Sequence, residues 1–388
     1  MRGLAQHSAV MYLYSWIVYN ENSSQLEYSA MKRLTLFLAA SLVGNLLLAQ
    51  PSDEVSENWT GINLAITDNH VIPAYSALMQ ATQDLSSSAE DFCSSPNSEG
   101  LTAFQNSFHS SMDAWQQSQH IQFGPITYFN WNFRIHYWPD EQGTGARQLD
   151  ALIAAESQES ISSESFARES VGVQGFPALE RMLFEADSLV LMQTNSYRCQ
   201  VAQTIARNID EIANGVHARW VDEFRTTVAN ADERGFFESA EDATIDFLKA
   251  QVEPVRRIQQ QKLEEVLGES AGRERIRRSE SWRSARSIRN IRLNVMALEN
   301  LFNGSDDSDI QLSSVLLAED IVSINNNFSE LADSLDALPD SYTAALDADG
   351  GRENIEQVVV LLDALFESME AALKNTDLYL GFNSLDGD

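Results

Sequence analysis

Residues 196–229, SYRCQVAQTIARNIDEIANGVHARWVDEFRTTVA, carry Cys199, Ala202, Ile205, Ala206, Ile209, Ile212, Val216, Trp220 and Phe224 at steps of three and four. That spacing lays one apolar stripe along a single helix face, and its persistence predicts a helix long enough to span a whole bundle. Upstream, Leu101, Phe104, Phe108, Met112 and Trp115 predict a second helix over residues 98–121. Downstream, Ser239 with Asp242 three residues on resembles a capping box with Asp in place of Glu. It opens a helix through Phe247, Leu248, Val252, Val255, Ile258 and Leu263, with Pro254 as a kink and Gly268 as the stop. The same period returns through Ile288, Ile291, Val295, Leu298 and Leu301, over residues 315–338, and from Ile355 to Leu373. Strand-like alternation is scarce, so the fold class is all-α. Residues 306–309 and 347–351 read as polar turns without the ligand spacing of a calcium loop.

One stretch departs from this pattern. Residues 123–140, FGPITYFNWNFRIHYWPD, are crowded with aromatics between Gly-Pro and Pro-Asp. So long an irregular piece must bury its rings, which predicts an ordered connector over a bundle end or along a cleft. Trp131 and Trp138 read as packing residues, whereas Arg134, His136 and Asp140 are the polar groups expected to project.

The 388 residues hold 26 Lys and Arg against 57 Asp and Glu, a net charge of −31. Such a chain repels nucleic acid. Met31-Lys32-Arg33 followed by apolar residues 34–48 reads as a signal peptide cut near Ala49-Gln50, with residues 1–30 upstream of the true start. No later apolar run is long enough to span a bilayer. The expected product is an exported, soluble protein of the periplasm or envelope. Its length suits two domains, residues 50–231 and 239–388, divided where Arg234-Gly235 interrupts two long helices. Cys93 and Cys199, the only cysteines, either pair in an oxidising compartment or remain two buried thiols.

Five segments in order carry a family resemblance: Val71-Ile72-Pro73-Ala74-Tyr75, Phe123-Gly124-Pro125, Ile135-His136-Tyr137-Trp138-Pro139-Asp140, residues 173–180, and Glu280-Ser281-Trp282-Arg283-Ser284 leading into Ser287. Together they resemble the imelysin family of bacterial envelope proteins. The resemblance implies two packed helical bundles with a functional site between them, an envelope location, a link to iron uptake and a peptidase label. It also implies a metal motif, Gly-x-His-x-x-Glu. Here the motif reads Gly175-Phe176-Pro177-Ala178-Leu179-Glu180, so Gly175 and Glu180 match while Pro177 replaces the histidine. Gly175 and Pro177 themselves look like a helix start. Glu180 then either answers the helix dipole or pairs with an arginine, or serves as a ligand to iron or another divalent cation.

Arg283, Arg286 and Arg289 share one side of a helix expected to begin near Glu280, with Ser284 and Ser287 close by. One of these arginines is a candidate to enter the cleft and meet Glu180 or an anionic ligand. With Arg273, Arg275, Arg277 and Arg278 they also form the one strongly basic tract, which suits docking of an envelope transport partner. His70, a little over one turn before Tyr75, completes the candidate set. No His-Glu-x-x-His, Gly-x-Ser-x-Gly or glycine-rich phosphate loop is present. The preferred reading is therefore a binding protein whose cleft holds a small ligand or a partner surface, with a metallopeptidase and a non-catalytic docking protein as rivals.

Overall fold

The computed structural model describes residues 53–140, 142–232, 235–304 and 311–376. The signal peptide, the upstream extension and the 306–309 turn lie outside the described residues. Ten helices of nine residues or more carry the fold, and no strand occurs among the described residues. They are α1 (Asp53–Ile66), α2 (Ile72–Ser94), α3 (Ser98–Ser118), α4 (Thr144–Ala155) and α5 (Phe176–Phe184), then α6 (Ser196–Arg219), α7 (Ala240–Arg257), α8 (Ser287–Asn303), α9 (Ala318–Asp336) and α10 (Gly351–Lys374).

Helices α2, α3 and α6 pack side by side, with α5 laid against α3 and α6. Their stripes supply the core: Phe104, Phe108, Met112 and Trp115 from α3, and Ile205, Ile209, Ile212 and Val216 from α6, are all buried. Each such side chain contributes roughly 1.5–3 kcal/mol on leaving water. A second bundle is built from α7, α8, α9 and α10, where α10 packs on both α9 and α7. The two bundles meet along α3 and α8.

Helix α1 precedes the first bundle in sequence but packs on α7 of the second. Buried Asn63 makes that contact specific, donating to the Ala240 carbonyl at 2.7 Å and accepting from the Thr244 hydroxyl at 2.8 Å. A π-helical turn, Thr67–Val71, carries the chain from α1 into α2. Cys93 at the end of α2 and Cys199 at the start of α6 are joined in a disulfide that closes 106 residues of chain.

Local details bear the marks of the sequence. Ser239 caps α7 by accepting from the Asp242 N–H at 3.1 Å, but Asp242 returns its carboxylate to the Glu238 N–H rather than to Ser239. The shorter Asp reaches one residue further back than a capping-box Glu. Pro254 lies inside α7, which continues in π register over Ile258–Glu264 and stops at Gly268, whose φ is +67°. The helix expected over 98–121 ends at Ser118.

Candidate functional site

A cleft of about 410 Å³ opens between the α3 and α5 side of the first bundle and the segment that leads into α8. The aromatic connector runs along it, as a 3-10 turn over Gly124–Asn130, a short helix over Trp131–Ile135, and then non-helical residues 136–140. His136, Trp138 and Asp140 line the cleft from this side. Trp138 is thus a wall of the cleft, whereas Trp131 packs over Gly215, where an added Cβ would come within 2.8 Å of the ring.

Gly175 is the N-cap of α5 and Pro177 sits in its first turn. Only glycine fits there, because a Cβ would lie 2.2 Å from the Ile135 carbonyl oxygen. This close approach turns Glu180 inward, where it lines the cleft while 4% exposed. Its Oε1 accepts from the Ser284 N–H at 2.9 Å and from the Ser284 hydroxyl at 2.7 Å. Burial pushes the Glu180 carboxyl up, against the opposing pull of the Ser284 bonds and of Arg283.

The partner Ser284 exposes a correction. The expected helix from Glu280 does not form; α8 begins at Ser287, and Ser281 and Ala285 take left-handed φ values of 53° and 57°. The chain gives up helical hydrogen bonds there to aim the Ser284 N–H at Glu180. Arg283, Arg286 and Arg289 therefore do not share a face. Arg283 lines the cleft with its guanidinium 4.4 Å from the centre of the Trp282 ring. Arg286 is buried, donating to Asn290 at 2.8 Å, to His109 at 3.0 Å and to Asp113. Arg289 pairs with the same Asp113 at 2.5 Å. The two arginines that looked like a docking face instead pin α8 to α3.

Beneath the cleft lies a polar cluster whose centre is Glu280. Its Oε2 accepts from Lys262 at 2.8 Å and from Asn290 at 2.8 Å, and its Oε1 from Gln116 at 3.1 Å. Lys262 also donates to Gln116 at 3.1 Å and to Asn294 at 2.7 Å. Burial alone would raise the Glu280 carboxyl, yet Lys262, His136 and the Asn290 bond hold it at about 2. His136 Nε2 lies 3.3 Å from Glu280 Oε1. Burial lowers His136 to about 4 despite that carboxylate, so the ring is neutral at pH 7.

Of the expected site residues, the cleft brings together Glu180, His136, Asp140 and Arg283. Asp140 accepts from the Thr144 and Gly145 N–H groups at 2.8 Å each, capping α4. The others sit elsewhere. Arg134 donates to Gln174 at 2.6 Å and to Asn208 at 2.9 Å. Ser287 bonds Ser279 behind the cleft wall at 3.1 Å. Tyr75 is buried against Trp220 and donates to the Ile121 carbonyl at 3.2 Å. His70, on the π-helical turn, meets His120 with 2.8 Å between their Nε2 atoms. Sequence reasoning passed over Lys262, Gln116, Asn290 and Asn294. A signal existed for the first, since Lys262 interrupts the apolar stripe between Ile258 and Val266 in a chain with four lysines.

The imelysin family model, which carries a peptidase label, matches residues 71–371. An imelysin-like protein from Psychrobacter arcticum 273-4 superposes with a TM-score of 0.66 at 17% identity, covering 84% of this chain and 98% of that one. An iron-regulated protein A precursor from Parabacteroides distasonis ATCC 8503 gives 0.70 at 13% identity, covering 84% and 96%. No curated protein matches the sequence. At these identities the structures speak to the fold, which they share with this all-helical chain, while the family match spans well over half of the 388 residues. The chain belongs to the imelysin family.

Proposed function

We propose that this protein is an exported binding protein of the bacterial envelope, associated with iron uptake, whose ligand sits in the cleft between bundles formed by residues 50–231 and 239–388. Among the described residues no helix is long and apolar enough to cross a membrane, which suits a periplasmic location. The name of the Parabacteroides relative supports the iron link.

The observation that carries the binding reading is the state of the cleft's polar groups. Glu280 and Lys262 spend their hydrogen bonds on each other and on Gln116, Asn290 and Asn294, and His136 Nε2 lies 3.3 Å from Glu280. A zinc or iron peptidase needs at least three converging ligands and an activated water. Among the described residues no three of His, Cys, Asp and Glu converge in that way. Pro177 offers no donor where the motif has histidine, and the Lys262 ammonium 2.8 Å from Glu280 repels a cation. The donor set does not fit a resident divalent metal, whereas a volume of about 410 Å³ lies in the range of small-ligand sites.

Metal analysis of protein purified from its native envelope, together with digestion of an unfolded protein substrate with and without chelator, tests this reading. The expected result is substoichiometric metal and no chelator-sensitive cleavage. Stoichiometric iron with cleavage abolished by Glu180→Gln would establish the metallopeptidase instead.

A further inference from the structure

We infer that the cleft takes a small polycarboxylate anion, free or wrapped around iron as its chelate, gripped by Arg277, Arg278 and Arg283 beside the Trp282 ring. This rests on the cleft being a ligand site and names the class of ligand.

The argument is a balance of hydrogen-bonding groups around the cavity. Four carboxylates line it, and three are committed: Asp140 to two backbone N–H groups, Glu180 to Ser284, and Glu280 to Lys262 and its neighbours. Glu265 alone is exposed there. Four arginines line it as well, and Arg181 is satisfied by Asp150 at 3.0 Å. The guanidiniums of Arg277, Arg278 and Arg283 have neither hydrogen bond nor ion pair among the described residues. Arg283 and Arg277 lie 4.4 and 5.7 Å from the Trp282 ring centre, so one indole holds both near the same wall.

Unspent guanidinium forks are the groups that match carboxylates bidentately. The lining sets four arginines against four carboxylates, in contrast to the chain as a whole, whose net charge is −31. Distant acidic groups matter little to a ligand inside, because exposed charges are screened beyond about 8 Å at physiological salt. A bare cation would meet three guanidiniums that lack hydrogen-bond acceptors among the described residues, whereas an anionic chelate presents carboxylate oxygens to them and brings the iron's coordination already filled. The same inference accounts for a cleft in which, among the described residues, no metal-holding cluster converges, in a chain that shares its fold with an iron-regulated protein.

Isothermal titration of the mature protein with citrate, ferric citrate and anaerobic ferrous chloride tests it, with benzamidine as a cationic organic probe. Citrate and ferric citrate should bind, with affinity falling at least tenfold in Arg283→Gln and in Arg277→Gln/Arg278→Gln. Arg273→Gln, exposed and outside the cleft, should bind as wild type. Binding of the unmodified protein should weaken steeply with added salt, a readout that needs no variant to fold. Equal affinity for citrate and ferric citrate identifies the free anion as ligand, and a tenfold preference for ferric citrate identifies the chelate. Binding of ferrous ion or benzamidine but of neither anion would overturn the anion class and leave the cleft a binding site. Binding of none of the four would overturn both readings.

Discussion

Replacing Lys262 by Met tests whether the polar cluster under the cleft is held by a buried ion pair. Lys262 and Glu280 are 4% and 2% exposed at the side chain and 2.8 Å apart. Met keeps the volume and removes the charge, stranding the Glu280 carboxylate with Gln116, Asn290 and a neutral His136. Breaking a buried pair from one side costs about 3–5 kcal/mol, since the surviving charge loses its partner but stays out of water. For a chain of this size that corresponds to a fall in Tm of about 4–7 °C. Glu280→Gln should cost a similar amount, and the double variant less than the sum of the two by about 2 kcal/mol or more. Urea unfolding followed by circular dichroism measures each term. A pH series supplies an independent sign. In the wild type Glu280 titrates at about 2 and stays ionised from pH 7 to 5. In Lys262→Met the stranded carboxyl is raised above its unfolded value, so the native state takes up a proton as pH falls and the gap to wild type narrows. A loss under about 1 kcal/mol with a gap independent of pH would refute the buried-pair account.

Three further outcomes follow from the same geometry. Removing the Cys93–Cys199 bridge, which closes 106 residues, should cost about 2–5 kcal/mol, read as a lower urea midpoint for Cys93→Ala/Cys199→Ala. Gly175→Ala places a Cβ 2.2 Å from the Ile135 carbonyl oxygen and should cost about 3 kcal/mol or more, with loss of near-ultraviolet dichroism from the cleft aromatics. His70 and His136 are each lowered by burial to about 4. Between pH 6.5 and 4 the unfolded chain binds protons that these rings refuse, so their contribution is complete above pH 6.5 and stability falls on acidification. The slope is about 1.4 kcal/mol per pH unit for each histidine, and His136→Gln should remove its share from urea midpoints measured at pH 7.5, 6 and 5.

The helices were legible because each carries its own period. The stripe from Cys199 to Val216 needs nothing outside α6 to declare itself, and Gly268 ends its helix for a local steric reason. The cleft was legible only where a residue type was locally odd, as with the aromatic connector and the Gly175-Phe176-Pro177 start. The segment from Ser281 to Ala285 shows why the rest was hidden. Neither Ser281 nor Ala285 is a residue type that favours left-handed φ, and the arginine spacing at 283, 286 and 289 fits a helix face. What breaks the helix is Glu180, more than a hundred residues away in sequence, which claims the Ser284 N–H. Once that bond forms, Arg283 is left beside Trp282 with no hydrogen-bond acceptor among the described residues, and Arg286 drops into the α3 contact with Asp113. A single long-range carboxylate thus divides one apparent basic face into a structural clamp and a free guanidinium at the cleft. The free one is the group a ligand can use.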